Sequence, residues 1–277
     1  MSRIRARFAK LKDEGRAGLV TFTMAYDPTP EASLDILKAI VASGADMVEI
    51  GVPFSDPMAD GKIIQAAGIR ALKHGATLKK ILALVAEFRK TDADTPIILM
   101  GYYNPFYIYG AEKFAKDARS AGVDGVILVD LPPEEESEYI PHLKTHNITP
   151  VRLIAPTSLE SRLPKLLEQA DGFVYYISVL GVTGTKSAKQ TTLDEDVGQL
   201  RKATSLPVCV GFGIKTPEQA KEVAALADGV VVGSALVDVI GKAATPKQAI
   251  EDVSELVASF ATTIRSVKKP LGKVSAA

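Results

Sequence analysis

Pro207-Val-Cys-Val-Gly-Phe-Gly-Ile-Lys-Thr-Pro-Glu-Gln-Ala-Lys-Glu-Val-Ala-Ala-Leu-Ala-Asp-Gly-Val-Val-Val-Gly-Ser-Ala235 reads as two short apolar strands with one helix between them. Thr216 suits an N-cap and Pro217 a first helical position, because proline has no N–H to lose there. The flanking runs, Pro207–Gly211 and Gly229–Gly233, are valine-rich and end in glycine. A helix between two strands carries the chain back along the sheet, so the strands run parallel.

The same alternation occurs eight times along the chain. The earlier strands are placed at Leu19–Ala25, Met47–Gly51, Pro96–Gly101, Gly125–Val129, Pro150–Ala155 and Phe173–Ser178. Helix-spaced apolar positions fall in Glu31–Ser43, Leu78–Arg89, Ala111–Ala121, Glu134–His146, Leu159–Gln169, Asp194–Thr204, Pro217–Ala227 and Thr245–Val267. Thr77 and Ser158 are further candidate N-caps. A doubly wound open sheet is the competing arrangement. Short strands of similar length, no break at the midpoint and glycine turns after the last strands favour a closed (β/α)8 TIM barrel. Such a barrel takes about 250 residues, and this chain has 277.

Ile4, Phe8 and Leu11 make the apolar stripe of an extra N-terminal helix, read as a cover for one barrel end and not as a cleaved leader. The expected domain is residues 1–268, with 269–277 a frayed tail. Lys+Arg and Asp+Glu are both 33, which argues against a broad nucleic-acid surface. No apolar stretch reaches the ~20 residues of a membrane span. The single cysteine, Cys209, sits in an apolar run as a core residue; with no intramolecular disulfide possible, a cytoplasmic setting is expected.

Two connections are long, 52–61 and 179–191, and both leave the C-terminal ends of strands, where barrel sites are built. Three glycine-bearing turns follow the last three strands: Gly181-Val-Thr-Gly184, Gly211-Phe-Gly213 and Gly233-Ser234. Glycine lets the backbone approach an anion closely, and a short helix starting at Ser234 would aim its N–H groups at a phosphate.

Glu49 lies in Asp46-Met-Val-Glu-Ile-Gly51, where alternation turns Met47, Glu49 and Gly51 toward the barrel axis. A carboxyl buried there has its pKa raised toward neutrality, which suits a group that gives and takes protons; a strand-end Glu bonded to a neighbouring basic group fits the pattern equally. Asp60 before Gly61, and Asp56 in the same loop, read by pattern alone as turn or N-cap residues in preference to site residues. Asp130, at the end of the fourth strand, is either a second site carboxylate or, as preferred, a cap for a helix starting at 132–136. His74, His142 and His146 lie away from strand ends, so neither a Ser-His-Asp unit nor a metal site is assembled.

The run Val48-Glu-Ile-Gly-Val-Pro-Phe-Ser-Asp-Pro-Met-Ala-Asp-Gly-Lys-Ile-Ile-Gln65 closely resembles the alpha subunits of tryptophan synthases. The resemblance continues through Met100-Gly-Tyr-Tyr-Asn-Pro-Phe106, Asp130-Leu-Pro-Pro-Glu-Glu135, Tyr175-Tyr-Ile-Ser178, Gly181-Val-Thr-Gly184, Gly211-Phe-Gly-Ile214 and Val232-Gly-Ser-Ala235, in order over nearly the whole chain. It implies retro-aldol cleavage of indole-3-glycerol phosphate to indole and glyceraldehyde 3-phosphate. By that resemblance Glu49 is the acid–base residue, and Asp60 accepts a hydrogen bond from the indole N–H. Thr183 would bond to Asp60 on loop closure. Gly184, Gly213, Gly233 and Ser234 would hold the phosphate, and Phe22, Leu153, Tyr175 and Phe212 would frame the indole.

The resemblance also implies a beta partner, in a tetramer of two alpha and two beta subunits. Pyridoxal phosphate is expected only in that partner, and this chain is expected to need no cofactor or metal. Asp56, Asn104 and Pro132 match segments that face the partner. Met100 and Val129 depart from the leucine and alanine common at these positions, which would alter the indole pocket slightly. Arg152 should face the helix layer if Leu153 faces inward. The rival readings are a catalytically silent subunit that binds the same substrate and another phosphate-binding barrel isomerase; the latter would want a catalytic His or Lys at a strand end, which is not apparent.

Overall fold

The computed structural model describes residues 2–159, 161–178, 186–211 and 213–269, with the side chains of 186–192 outside that description. The strands are β1 Gly18–Met24, β2 Met47–Gly51, β3 Ile97–Gly101, β4 Gly125–Leu128, β5 Thr149–Pro150, β6 Arg152–Ile154, β7 Val174–Ile177, β8 Val208–Gly211 and β9 Gly229–Val232. The helices are α1 Arg3–Asp13, α2 Pro30–Ala42, α3 Lys62–Lys73, α4 Leu78–Arg89, α5 Tyr103–Tyr109 and α6 Ala111–Ala121. They continue with α7 Ile140–Thr145, α8 Leu163–Leu167, α9 Lys186–Ala203, α10 Pro217–Leu226, α11 Ser234–Lys242 and α12 Pro246–Arg265.

All neighbouring strands pair in parallel, in the order β5-β4-β3-β2-β1-β9-β8-β7-β6. The two ends of that order are consecutive in the chain, so β5 and β6 are one barrel stave interrupted at Val151. Its N–H still donates to Val126 O at 3.0 Å. The fifth strand expected at Pro150–Ala155 is therefore two short pieces, and the expected (β/α)8 TIM barrel has eight staves.

Strand alternation sorts the core into two layers. Val20, Met47, Ile98, Ile127, Val151, Tyr175, Cys209 and Val231, one from each stave, fill the interior. Val48, Ile50, Ile97, Leu99, Val126, Val210 and Val232 face the helices instead. Ile4, Phe8 and Leu11 of α1 join the interior cluster and plug its lower end. Gly172, at φ +74°, leaves the space that Ile4 and Thr149 occupy; an added Cβ would meet Thr149 Cγ2 at 2.6 Å. Leu153 packs on the interior side. Arg152 faces out and forms an ion pair with Glu136.

Several local expectations change. Thr77 and Thr216 do cap helices, the latter in a full capping box with Gln219. Ser158 does not; it ends a short 3-10 turn, and α8 begins only at Leu163. The helices expected at Glu134–His146 and Leu159–Gln169 shrink to α7 and α8. Helices α3 and α5 were not anticipated. Asp130 caps α5, accepting from Tyr103 N–H at 2.6 Å, and not a helix of its own loop. Lys269, placed in the frayed tail by the sequence reading, is tied to Gly15 O and Asp228, while 270–277 lie outside the described residues.

The lower end is held by aspartates that precede strands. Asp46 accepts from Leu19 N–H at 2.9 Å and from both ends of the Arg16 guanidinium at 2.8 Å. Asp124 accepts from Ile97 N–H at 2.9 Å, Arg3 at 2.9 Å and Arg89 at 2.7 Å. Asp228 accepts from Val208 N–H at 3.0 Å and Arg201 at 3.0 Å. In each case the carboxylate satisfies an N–H at the start of the preceding stave and pairs with arginine, as the buried charges of Asp46 and Asp124 require. Removing one charge should strand its cations. We expect Asp124→Asn to lower stability to urea by about 2–4 kcal/mol and to leave turnover per folded molecule unchanged; a loss below about 0.5 kcal/mol would show that the network does not bear on stability.

Candidate active site

The upper end of the barrel collects the candidate residues. Glu49 sits on β2, paired in register with Phe22 of β1 and Ile98 of β3. Its neighbours at i−2 and i+2, Met47 and Gly51, share its face. Gly51 is required because the Phe22 ring fills the space of a side chain; an added Cβ would meet Phe22 Cζ at 2.6 Å. Glu49 is fully buried, and neither carboxyl oxygen has a hydrogen-bond partner among the described residues. Burial pushes its pKa up to about 8. The same burial, followed by the nearby Glu49 charge, holds the Tyr175 hydroxyl well above its ordinary range. Tyr175 in turn packs where Gly211 has no side chain, its hydroxyl 2.6 Å from the position of a Cβ.

Asp60 stands immediately before Gly61, the N-cap of α3, in the loop after β2. It is half-buried. Burial raises its pKa, and a side-chain hydrogen bond with Tyr102 opposes the rise. Tyr102 is almost fully buried at the end of β3; its hydroxyl also accepts from Ala59 N–H at 2.9 Å. Burial is the first cause that lifts the phenol to about 12, so it remains a donor. Sequence reasoning quoted Tyr102 in a motif but gave it no role. The available signal was an aromatic residue directly after the glycine that ends a strand.

Phe22 and Tyr175 are buried, and Leu153 is half-buried on the interior face. Gly233 packs against Phe22, with 3.2 Å between its potential Cβ and Phe22 Cβ, so the α11 turn adjoins the aromatic end. Ser234 opens α11 from the Gly233 N-cap, and the first-turn N–H groups of a helix have no acceptor within it. Gly213 takes φ +81°, which favours glycine. Thr183, Gly184 and Phe212 lie outside the described residues. Cys209 is buried in the interior, where burial pushes its thiol up. No group of three His, Cys, Asp or Glu suited to a metal occurs among the described residues.

Asp56, Asn104 and Pro132 are exposed on loops and a helix start at this same end. Met58, in the loop of Asp56, is 82% exposed, and Tyr107 and Ile108, in the helix of Asn104, are 63% and 76% exposed. Large apolar side chains left in solvent mark a contact surface better than the polar residues beside them.

The pattern of the tryptophan synthase alpha chain family matches residues 8–265. The fold is similar to that of tryptophan synthase subunit alpha from Legionella pneumophila, at 40% identity and TM-score 0.90, covering 96% of this chain and 100% of that one. A protein of Aquifex aeolicus is similar at 39% identity and TM-score 0.86, over 95% and 99% of the two chains. A chain of tryptophan synthase from M. tuberculosis, in an open form with BRD0059 bound, is similar at 32% identity and TM-score 0.85, over 95% and 99%.

The burial of Glu49 has a consequence for stability. Between its ordinary value of 4.5 and about 8, the folded chain keeps a proton that the unfolded chain has released. Stability from this group is therefore lost as pH rises through that window and is level above it. Glu49→Gln has no such proton to lose. At pH 9 it should be more stable than the parent, by on the order of a few kcal/mol, with the gap closing toward pH 4.5. Urea unfolding at several pH values measures this; a gap independent of pH would rule out a neutral buried carboxyl.

Proposed function

We propose that Glu49 and Asp60 carry the reaction of this chain, which belongs to the tryptophan synthase alpha chain family. The chain is a carbon–carbon lyase of L-tryptophan biosynthesis, cleaving indole-3-glycerol phosphate to indole and glyceraldehyde 3-phosphate. The observation that carries the residue assignment is the Glu49 carboxyl, wholly buried at the upper end of the barrel with both oxygens unpartnered.

The chemistry asks for a proton at indole C3, so that the ring can accept the electrons of the breaking C–C bond. It then asks for a base at the neighbouring hydroxyl, so that the aldehyde can form. Glu49, protonated at neutral pH, gives the first proton and as carboxylate takes the second, returning to its starting state. Asp60 accepts a hydrogen bond from the ring N–H and balances the positive charge that protonation creates. Tyr102 orients Asp60 by hydrogen-bonding it while its hydroxyl holds Ala59 N–H. Thr183, outside the described residues, is assigned the hydrogen bond to Asp60 that the family resemblance implies. Phe22, Leu153, Tyr175 and Phe212 frame the indole, with Met100 and Val129 shaping the pocket. Gly184, Gly213, Gly233 and Ser234 hold the phosphate, using the α11 N-terminus.

Tryptophan synthase alpha chains work with beta subunits and need no cofactor of their own. For this chain we propose a tetramer of two alpha and two beta subunits, in which the beta subunit holds pyridoxal phosphate. Asp56, Asn104 and Pro132 would lie at the contact, with Met58, Tyr107 and Ile108 as its apolar part. That rim is joined to the site: Met58 and Asp60 share one loop, and Tyr102 leads directly into α5. No described helix is long and apolar enough to cross a membrane, and the cytoplasm is the proposed setting.

The test is release of glyceraldehyde 3-phosphate from indole-3-glycerol phosphate, with and without a beta subunit. The parent chain should release it slowly alone and faster with the partner. Glu49→Gln should keep substrate affinity and lose turnover by about 10²–10⁴. Equal turnover in that variant would sink the mechanism, and failure to co-elute with a beta subunit under any ligand condition would remove the partner reading.

A further inference from the structure

Arg70 lies in α3, ten residues after Asp60, and reaches two other segments, the loop beyond β1 and helix α11. Its Nε donates to Asp27 Oδ1 at 2.6 Å and its Nη2 to Oδ2 at 2.9 Å, a two-pronged grip. The Asp27 side chain is only 1% exposed, in the loop just beyond β1. On its other side the guanidinium lies against Gly241, in the last turn of α11. A Cβ at Gly241 would stand 2.7 Å from Nη2 and 3.2 Å from Cζ. A side chain there would push the guanidinium from its present place, and the carbonyl end of a helix favours a cation.

Gly241 and Ser234 are the two ends of one short rigid rod. At 1.5 Å per residue they are about 10 Å apart along the axis, so a tilt of about 5° at one end moves the other by roughly 1 Å. A shift of that size weakens hydrogen bonds from helix N–H groups to an anion, whose useful range is only about 0.5 Å wide.

We infer that Arg70 is a positioning residue for the phosphate grip. Clamped on Asp27 and laid on Gly241, it sets the direction in which the α11 N-terminus points relative to β1 and to the loop of Asp60. The inference rests on the reading that Gly233 and Ser234 hold the phosphate. Arg70 touches neither the substrate nor the reacting atoms, so its effect belongs in binding of the phosphate end and not in the proton transfers.

Arg70→Lys keeps a charge and loses the two-pronged geometry. We expect KM for indole-3-glycerol phosphate to rise about fivefold, the size of one helix-terminus charge interaction, with kcat within about twofold of the parent. Inorganic phosphate, used as a competitive inhibitor, should weaken by the same factor. Gly241→Ala leaves Arg70 and Asp27 chemically intact and should move both constants in the same direction; it also carries the test if Arg70→Lys does not fold. Ser234→Asp, which sets a carboxylate at the proposed phosphate position, separates the two levels of the argument. If it raises KM while Arg70→Lys and Gly241→Ala leave KM and phosphate inhibition unchanged, or lower kcat alone, the role of Arg70 is overturned and the phosphate site stands. If Ser234→Asp changes neither constant, the phosphate reading falls and the inference falls with it.

Discussion

Desolvation of one carboxyl group sets the terms for the upper half of this barrel. Glu49 points into an interior otherwise filled by valine, isoleucine, methionine and aromatic side chains, and among the described residues nothing donates to it. An ionised carboxylate in such a place is unfavourable by several kcal/mol, so the group keeps its proton near neutrality. That condition holds only if the surrounding packing stays dry. The Phe22 ring over Gly51 and the Tyr175 hydroxyl over Gly211 close two of the gaps through which water or a counter-charge could enter.

The two ends of the barrel treat the same side-chain chemistry in opposite ways. At the lower end, Asp46 and Asp124 are as buried as core residues, yet each holds arginine and a backbone N–H. At the upper end, Glu49 has neither, and Asp60 has the Tyr102 phenol in place of a cation. A buried carboxylate with a full set of donors is a structural element; one without them is a proton store. Two of the lower network's cations, Arg3 and Arg7, come from α1, whose apolar side also plugs the barrel. The first helix thus supplies both core and counter-charge to the end away from the chemistry.

Much of this was legible along the chain because it depends on local periodicity. Alternation alone turned Glu49 inward, and threonine followed by helix formers located the caps of α4 and α10. The features that escaped are those made by residues far apart. Asp130 caps α5 across 27 positions, and Tyr102 meets Ala59 across 43. Stave five reads as one strand, but it breaks because β5 pairs only with β4 and β6 only with β7, and that register belongs to the closed ring. Helix α3 was hidden behind the long loop before it. Only its burial of Ala67 and Ala71 against the top of the barrel gives it a face.

In the proposed mechanism Glu49 and Asp60 divide one reaction between two environments, and the division follows from position on the scaffold. A residue inside a strand inherits the dryness of the interior, so Glu49 favours its neutral form. A residue on the loop above the strand can meet solvent and a phenol, and the Tyr102 hydrogen bond works against the rise that burial alone would give Asp60. The proposal uses the neutral acid to deliver a proton and the better-solvated carboxyl to balance positive charge. Environment and not residue type therefore sets the two protonation states, since desolvation acts on any carboxyl held in the strand position.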